Sequence, residues 1–408
     1  PCLLAGCGAL GGPESEVPSM DHLLGLTQEQ RLEDYDYLVQ TLGDSYLCMG
    51  VRDRDNPEDP SAAIFQAYRE MIQESDSDEV FYSAVYSTLF RLGTYGHLWI
   101  VEPDMYRAYC EAYEDGGIQD REHWREVLTD PVTVRGYERL QTLLDAYGEE
   151  DCTVNSADSE EPAANLHTLL LPGGDVGYVK IDSFPAEYED SYTTDRAALT
   201  DFYRQAADCT DLIIDLTDNS GGSEVYWQQL LAAPLTDRPL SCTNYALLAE
   251  SGNNRPYIQE VFSPEELHPI ADLPDLPKLE RDGIQAATHF VESTLSVEPA
   301  AERAPFHGRI WVLVGPAVYS ASESFAVFCQ ETGFATLVGS PTGGDGIGAL
   351  DPVFLQLPNS GILVQFTMMF GLNPDGSSSE EAGTTPDIRS PAGEPALVTA
   401  LRAMEERA

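Results

Sequence analysis

The chain has 408 residues, 42% of them hydrophobic, and carries 69 acidic side chains against 22 basic ones, a formal net charge of −47. That balance argues against nucleic acid as a partner, because phosphate binding needs basic patches; it favours solubility and says little about fold. The eight cysteines form no C-x-x-C pair and no His/Cys spacing suited to zinc, so no metal site or metal cofactor is expected.

Near its start the chain reads PCLLAGC, and Leu4-Ala5-Gly6-Cys7 has the form of a bacterial lipobox, without the basic and fully apolar regions of a signal peptide in front of it. Read this way, Cys7 carries lipid, Gly8–Met20 is a Gly/Pro/Ser-rich tether, and the protein works outside the cytoplasm, anchored to a membrane. The plainer reading is a frayed apolar terminus with a chance cysteine.

Residues 21–150 read as a helical, acidic N-terminal domain. Thr27 is placed to cap a helix through Tyr37 and Leu42. Further helices are expected over Ser61–Ser75, over Ser77–Leu92 with its apolar stripe, over Pro103–Ala112 and over Pro131–Tyr147. The acidic loop Asp53–Pro60 lacks the spacing and glycine of an EF-hand, and reads as a solvated turn. Residues 151–165 read as a polar linker.

Beyond the linker the period changes. Strands are expected at His167–Leu171, Val176–Ile181 and Asp211–Leu216, with a helix over Thr194–Ala207. After Gly221-Gly222 comes a helix through Trp227 and Leu231. This β-β-α-β order indicates an α/β core over 166–408. Residues 240–302 are a Pro-rich insertion of weak patterning, suited to a lid or an interaction surface. Ile310–Val314 and Ala335–Val338 read as strands buried on both faces, flanking a helix that opens at Ser320. A hairpin over Pro352–Leu357 and Gly361–Met368 and a helix over Pro395–Met404 complete the chain.

Two readings compete at Ser320. Ser320-Ala-Ser-Glu323 is a capping box by local pattern, with the serine hydroxyl committed to a backbone donor. A strand, a tight turn and a serine at a helix start also suit a nucleophile, whose oxygen must be free and near a base. The loop Gly343–Gly348 is not a nucleotide loop, since a strand follows it rather than a helix.

Several motifs together resemble the serine peptidases of the C-terminal processing protease and tricorn-core family. They are Ile214-Asp-Leu-Thr-Asp-Asn219-Ser-Gly221-Gly222, Ser320-Ala-Ser-Glu323, Val338-Gly-Ser-Pro341-Thr342-Gly-Gly344 and Glu380-Glu-Ala-Gly383-Thr-Thr-Pro386-Asp387-Ile388. The strand Gly177–Ile181 and the hairpin turn Leu357–Gly361 fit too. The resemblance implies a ClpP/crotonase-like α/β catalytic core beside the helical domain, an α+β arrangement overall. It makes Ser320 the nucleophile, with backbone amides of Gly221, Gly222 and Ala321 around the oxyanion. One branch of the family uses a lysine after the PTxG turn, where this chain has Asp345. Neither Lys180 nor Lys278 can stand in, so a Ser–Lys dyad is excluded.

The tricorn-like branch uses a histidine from an N-terminal Gly-His element and a late glutamate. Those residues are here His97 and Glu380, with Glu381 the alternative by one position. A neutral imidazole, with a pKa near about 6.5, suits proton removal from Ser320, and a carboxylate would fix its tautomer. Tricorn has a serine just before its histidine; this chain has Gly96. No PDZ module is evident. The resemblance thus implies a serine peptidase acting on peptides or proteins without cofactor, lipid-anchored by the lipobox reading, the alternative being an inactive relative that binds peptides or envelope components.

Overall fold

The computed structural model describes residues 22–114, 121–147, 164–280, 284–347 and 351–407. The expected lipobox and tether, and the linker as far as residue 163, lie outside these. The N-terminal part folds as α1 (Gln28–Ser45), α2 (Met49–Asp55), α3 (Ser61–Gln73), α4 (Asp78–Leu92), a short strand β1 (Trp99–Ile100), α5 (Pro103–Ala112), α6 (Glu122–Thr129) and α7 (Pro131–Tyr147). Thr27 forms a full capping box: its hydroxyl accepts from Gln30 N–H at 3.2 Å, and Gln30 Oε1 accepts from Thr27 N–H at 3.0 Å. In the acidic loop, Asp53 accepts from Ser61 N–H and Oγ at 2.8 and 2.6 Å, and Asp59 pairs with Arg52 and Arg91. These carboxylates are spent on the fold.

The second part runs β2 (Leu166–Leu170), β3 (Val176–Ile181), α8 (Asp190–Gln205) and β4 (Asp211–Asp215). After it come α9 (Glu224–Tyr226), a wider π-helical turn over Trp227–Ala232, and α10 (Ala233–Leu235). Then follow β5 (Leu240–Leu248), α11 (Arg255–Val261), β6 (His268–Pro269), β7 (His289–Val297), β8 (Arg309–Val314), α12 (Ala321–Thr332) and β9 (Thr336–Gly339). The hairpin β10 (Val353–Gln356) and β11 (Leu363–Phe366), β12 (Met369–Leu372), β13 (Ile388–Arg389) and α13 (Ala396–Arg407) end the chain.

The main sheet has six strands in the order β13-β9-β8-β4-β3-β2. All its pairs are parallel except the β2–β3 edge. Every residue of β4 is buried, as a parallel strand covered on both faces must be. The helix α12 is buried from Ala321 to Cys329; Phe325 and Phe328 pack on Trp227 with ring centroids 5.3 and 5.0 Å apart.

The weakly patterned insertion over 240–302 holds regular strands. Its strands β5 and β7 pair antiparallel along nine residues each, from Leu240↔Val297 to Leu248↔His289, inside a four-stranded sheet β12-β5-β7-β6. The Ser/Thr/Asn residues scattered through both strands hide them in the sequence; cross-strand pairing stabilises them. A third sheet, β1-β11-β10, contains the only N-terminal strand among the described residues, through Trp99↔Gln365 and Ile100↔Val364.

That pairing carries the N-terminal segment into the second half of the fold. Leu38, Leu42, Phe81 and Leu89 from the helices share one apolar core with Leu247, Leu355, Val364 and Phe366. At the edge of this core Asp34 on α1 is fully buried and clasps the hairpin turn: it accepts from Asn359 N–H at 2.8 Å and from Ser360 N–H at 2.8 Å. Replacing Asp34 by Ala strands two backbone donors, and we expect a loss of about 1–3 kcal/mol, read as a lower urea midpoint with unchanged slope. An unchanged midpoint would mean that the clasp contributes nothing.

Candidate active site

β8 delivers the chain to Gly315, and a tight turn carries it through Tyr319 to Ser320 at the mouth of α12. Ser320 has φ 54° and ψ −125°. Side-chain capping needs extended backbone at the cap position, and Ser320 is not extended. Its hydroxyl caps nothing and makes no hydrogen bond among the described residues. The capping-box reading therefore fails at this helix. The Glu323 carboxylate instead accepts from Thr384 N–H at 2.8 Å and Oγ1 at 2.7 Å. Ser320 N–H donates to Gly344 O at 3.1 Å, which ties the serine turn to the Thr342–Asp345 loop.

The glycine turn after β4 lies against the serine. A Cβ on Gly221 would stand 3.0 Å from Ala321 N and 3.1 Å from Ser320 Cβ, and its φ is 109°; only glycine lets the two turns approach so closely. Asn219, quoted in the motif without a role of its own, holds them together. Its Oδ1 accepts from Gly221 N–H at 2.8 Å and from Ser322 Oγ at 2.5 Å, while Nδ2 donates to Ile181 O at 3.1 Å. Of the three amides expected around an oxyanion, Gly221 N–H is thus already spent on Asn219. The N–H groups of Gly222 and Ala321 enter no hydrogen bond among the described residues. At the first residue of a helix such a free donor is built in.

His97 arrives from the other half of the chain, in a short 3-10 turn between α4 and β1. Its ring lies between Trp99 and Tyr319, with centroids 5.4 and 5.5 Å away, and Tyr319 is the residue before Ser320. Gly96 fixes the approach. Its N–H donates to Glu380 Oε1 at 2.7 Å and its carbonyl accepts from Thr367 N–H at 2.8 Å. A Cβ on Gly96 would stand 2.7 Å from Cys48 Sγ and 2.9 Å from Thr367 Cγ2. This explains the glycine before His97: there is no space for a side chain.

The carboxylate that meets the imidazole belongs to Asp345. Its Oδ2 lies 3.1 Å from His97 Nε2, off the N–H direction, so Nε2 is left buried without a formed hydrogen bond. Glu380, expected beside the ring, accepts from Gly96 N–H and from Tyr319 Oη at 3.1 Å, and touches the imidazole nowhere among the described residues. Glu381 is turned outward to Arg54, 2.6 Å away. Burial first, and then the neighbouring Asp345 charge, push the Glu380 carboxyl from 4.5 up to about 9, against the pull of the Gly96 and Tyr319 donors.

Three non-glycine residues among those described have positive φ: His97 at 55°, Ser320 at 54° and Asp345 at 55°. All three lie in this one site. Left-handed backbone at ordinary residues costs energy and persists where surrounding structure imposes it, most often at functional sites. No group of residues suited to hold a metal ion is present among the described residues, and no helix among them is long and apolar enough to cross a membrane.

The state of Glu380 has a measurable consequence. A carboxyl whose pKa rises on folding holds its proton more tightly in the native state; the resulting stability is complete below 4.5 and is lost as pH climbs toward 9. Glu380→Gln stays neutral throughout. Its unfolding midpoint should fall less steeply than that of the wild type across this range, and identical slopes would mean that Glu380 is already ionised in the fold.

The fold recurs in known structures. A candidate peptidase from Parabacteroides merdae superposes with a TM-score of 0.53 at 16% identity, over 93% of this chain and 96% of that one. A mutant of CPAF superposes at 0.52 and 13% identity over the same shares of the two chains; at such identities the likeness concerns the fold. The model of peptidase family S41, whose members are serine-type peptidases, matches residues 175–390, just over half of the chain. The match runs from the strand before Ser183 through the glycine turn, Ser320 and Glu380, and the chain belongs to peptidase family S41.

Proposed function

We propose that this protein is a serine peptidase that cleaves peptide bonds through an acyl-enzyme, with Ser320 as nucleophile and His97 as general base. The observation that carries the reading is the gathering of the three left-handed residues, from segments far apart in sequence, around one uncommitted hydroxyl. Ser320 Oγ attacks the substrate carbonyl and its proton passes to the His97 imidazole, which returns it to the leaving amine. The developing oxyanion faces the unspent N–H groups of Ala321 and Gly222. One such donor is typically worth about 10²–10³ in kcat. Water then attacks the acyl-enzyme by the reverse proton path. The carboxylates beneath the histidine, Asp345 and Glu380, hold the imidazole turn in place.

The substrate class is peptide or protein. We further propose that Cys7 in its lipobox carries lipid and that the enzyme works outside the cytoplasm on a membrane surface, where two acyl chains give stable anchoring.

The test of the chemistry is labelling with a fluorophosphonate. Wild type should label; Ser320→Ala should not label at all; His97→Ala should label at least about a hundredfold more slowly, in line with the loss of general-base assistance. Equal labelling of all three proteins, or of none, would remove the hydrolase and leave a peptide-binding relative. For the anchor, cells producing the complete precursor should carry the protein in the membrane fraction, and Cys7→Ser should release it. Retention of that variant would exclude lipidation at Cys7.

A further inference from the structure

Resting on the serine-peptidase reading, we infer that Asp345 is the charged positioning residue of His97, and that Glu380 is a neutral strut holding the backbone that carries the imidazole. The two carboxylates differ in what they touch. Asp345 Oδ2 meets His97 Nε2 at 3.1 Å and Tyr319 Oη at 3.3 Å. Glu380 meets the Gly96 amide at 2.7 Å and the same tyrosine hydroxyl at 3.1 and 3.4 Å. Only the first can bias the charge and orientation of the ring directly.

The backbone holds Asp345 for that task. Its N–H donates to Ser379 O at 3.0 Å, the carbonyl of the preceding Gly344 accepts from Ser320 N–H, and Tyr319 and Gly344 form a parallel bridge. The aspartate is thus locked in register with the nucleophile, and its side chain is 3% exposed.

Two carboxyl groups packed together under one tyrosine cannot both be ionised at modest cost. The Glu380–Asp345 contact therefore retains a proton, and Glu380 is the member whose affinity for it is raised. The other ionisable groups that face the cluster supply no competing charge. Burial keeps the Cys48 thiol and the Tyr46 and Tyr319 hydroxyls protonated. The Tyr95 hydroxyl donates to Asp55 away from the ring, and Arg54 is paired with Glu381. The charge beside the imidazole is that of Asp345.

The test is the titration of His97 followed by NMR through the ring Cε1–H signal, assigned by its disappearance in His97→Ala. The wild-type midpoint of that signal is the reference for the variants. Asp345→Asn should lower that pKa by about one unit or more, a tenfold change in the protonation constant, while Glu380→Gln should move it much less. The reverse order of the two variants, or equal shifts in both, would make Glu380 the charged partner. Unshifted signals from the other histidines verify that each variant is folded. The pH at which fluorophosphonate labelling reaches half its maximal rate should fall with Asp345→Asn and hold with Glu380→Gln, although the latter labels more slowly overall. Variants that shift as described in a protein that never labels would remove the peptidase and leave the assignment of Asp345 standing.

Discussion

The site depends on one hydrogen bond, from the Gly96 amide to Glu380, between residues 284 apart in the chain. On one side of it lies the turn that carries His97; on the other lies the segment that follows β12. Around that bond the backbone itself does most of the joining. Gly96 O accepts from Thr367, Ser320 N–H reaches Gly344, and Asp345 N–H reaches Ser379. Peptide groups cannot be mutated away, so the relative placement of Ser320, His97 and the two carboxyls is written into the path of the chain. Burying a carboxyl to make the bond is costly unless it is hydrogen-bonded or neutral, and Glu380 is both.

This arrangement stores strain. Each left-handed residue costs on the order of 1–3 kcal/mol, and three meet here. Such conformations hold only if the flanking structure cannot relax. The flanks are β8 and α12 on one side, buried almost throughout. On the other, α4 and β1 are sealed into a core shared with β5, β10 and β11. The pairing of β1 with β11 positions the histidine turn against strands that belong to the rest of the candidate site.

Much of this could be read in the residues beforehand, and the failures have physical causes. Ile310–Val314 announces itself because a strand buried on both faces is nearly free of polar residues, and Val176–Ile181 by its β-rich run, buried at every second position. Thr27 announces its helix because the donor it satisfies lies three residues on. The strands β5 and β7 do not, since Ser, Thr and Asn interrupt them and their partner strands are tens of residues away. The capping pattern at Ser320 misleads for a related reason. Local sequence offers Glu323 as a reciprocal cap, but the fold imposes a left-handed serine and presents Glu323 to Thr384, 61 residues further on. Asp345 was visible only as the wrong residue in a lysine's place. Its role beneath His97 depends on three segments meeting, which no window of sequence contains. The spending of the Gly221 amide on Asn219 was hidden in the same way, inside a motif that names both residues.

The extreme acidity of the chain bears on the site less than its size suggests. A net charge of −47 sets a negative potential over the surface of the molecule. Exposed charges are screened within about 8 Å at physiological ionic strength, whereas buried pairs are screened far less. His97 is a quarter exposed and Asp345 almost wholly enclosed, so the contact between them escapes the solvent that damps the surface. The raised proton affinity of Glu380 keeps a second charge out of this weakly screened contact.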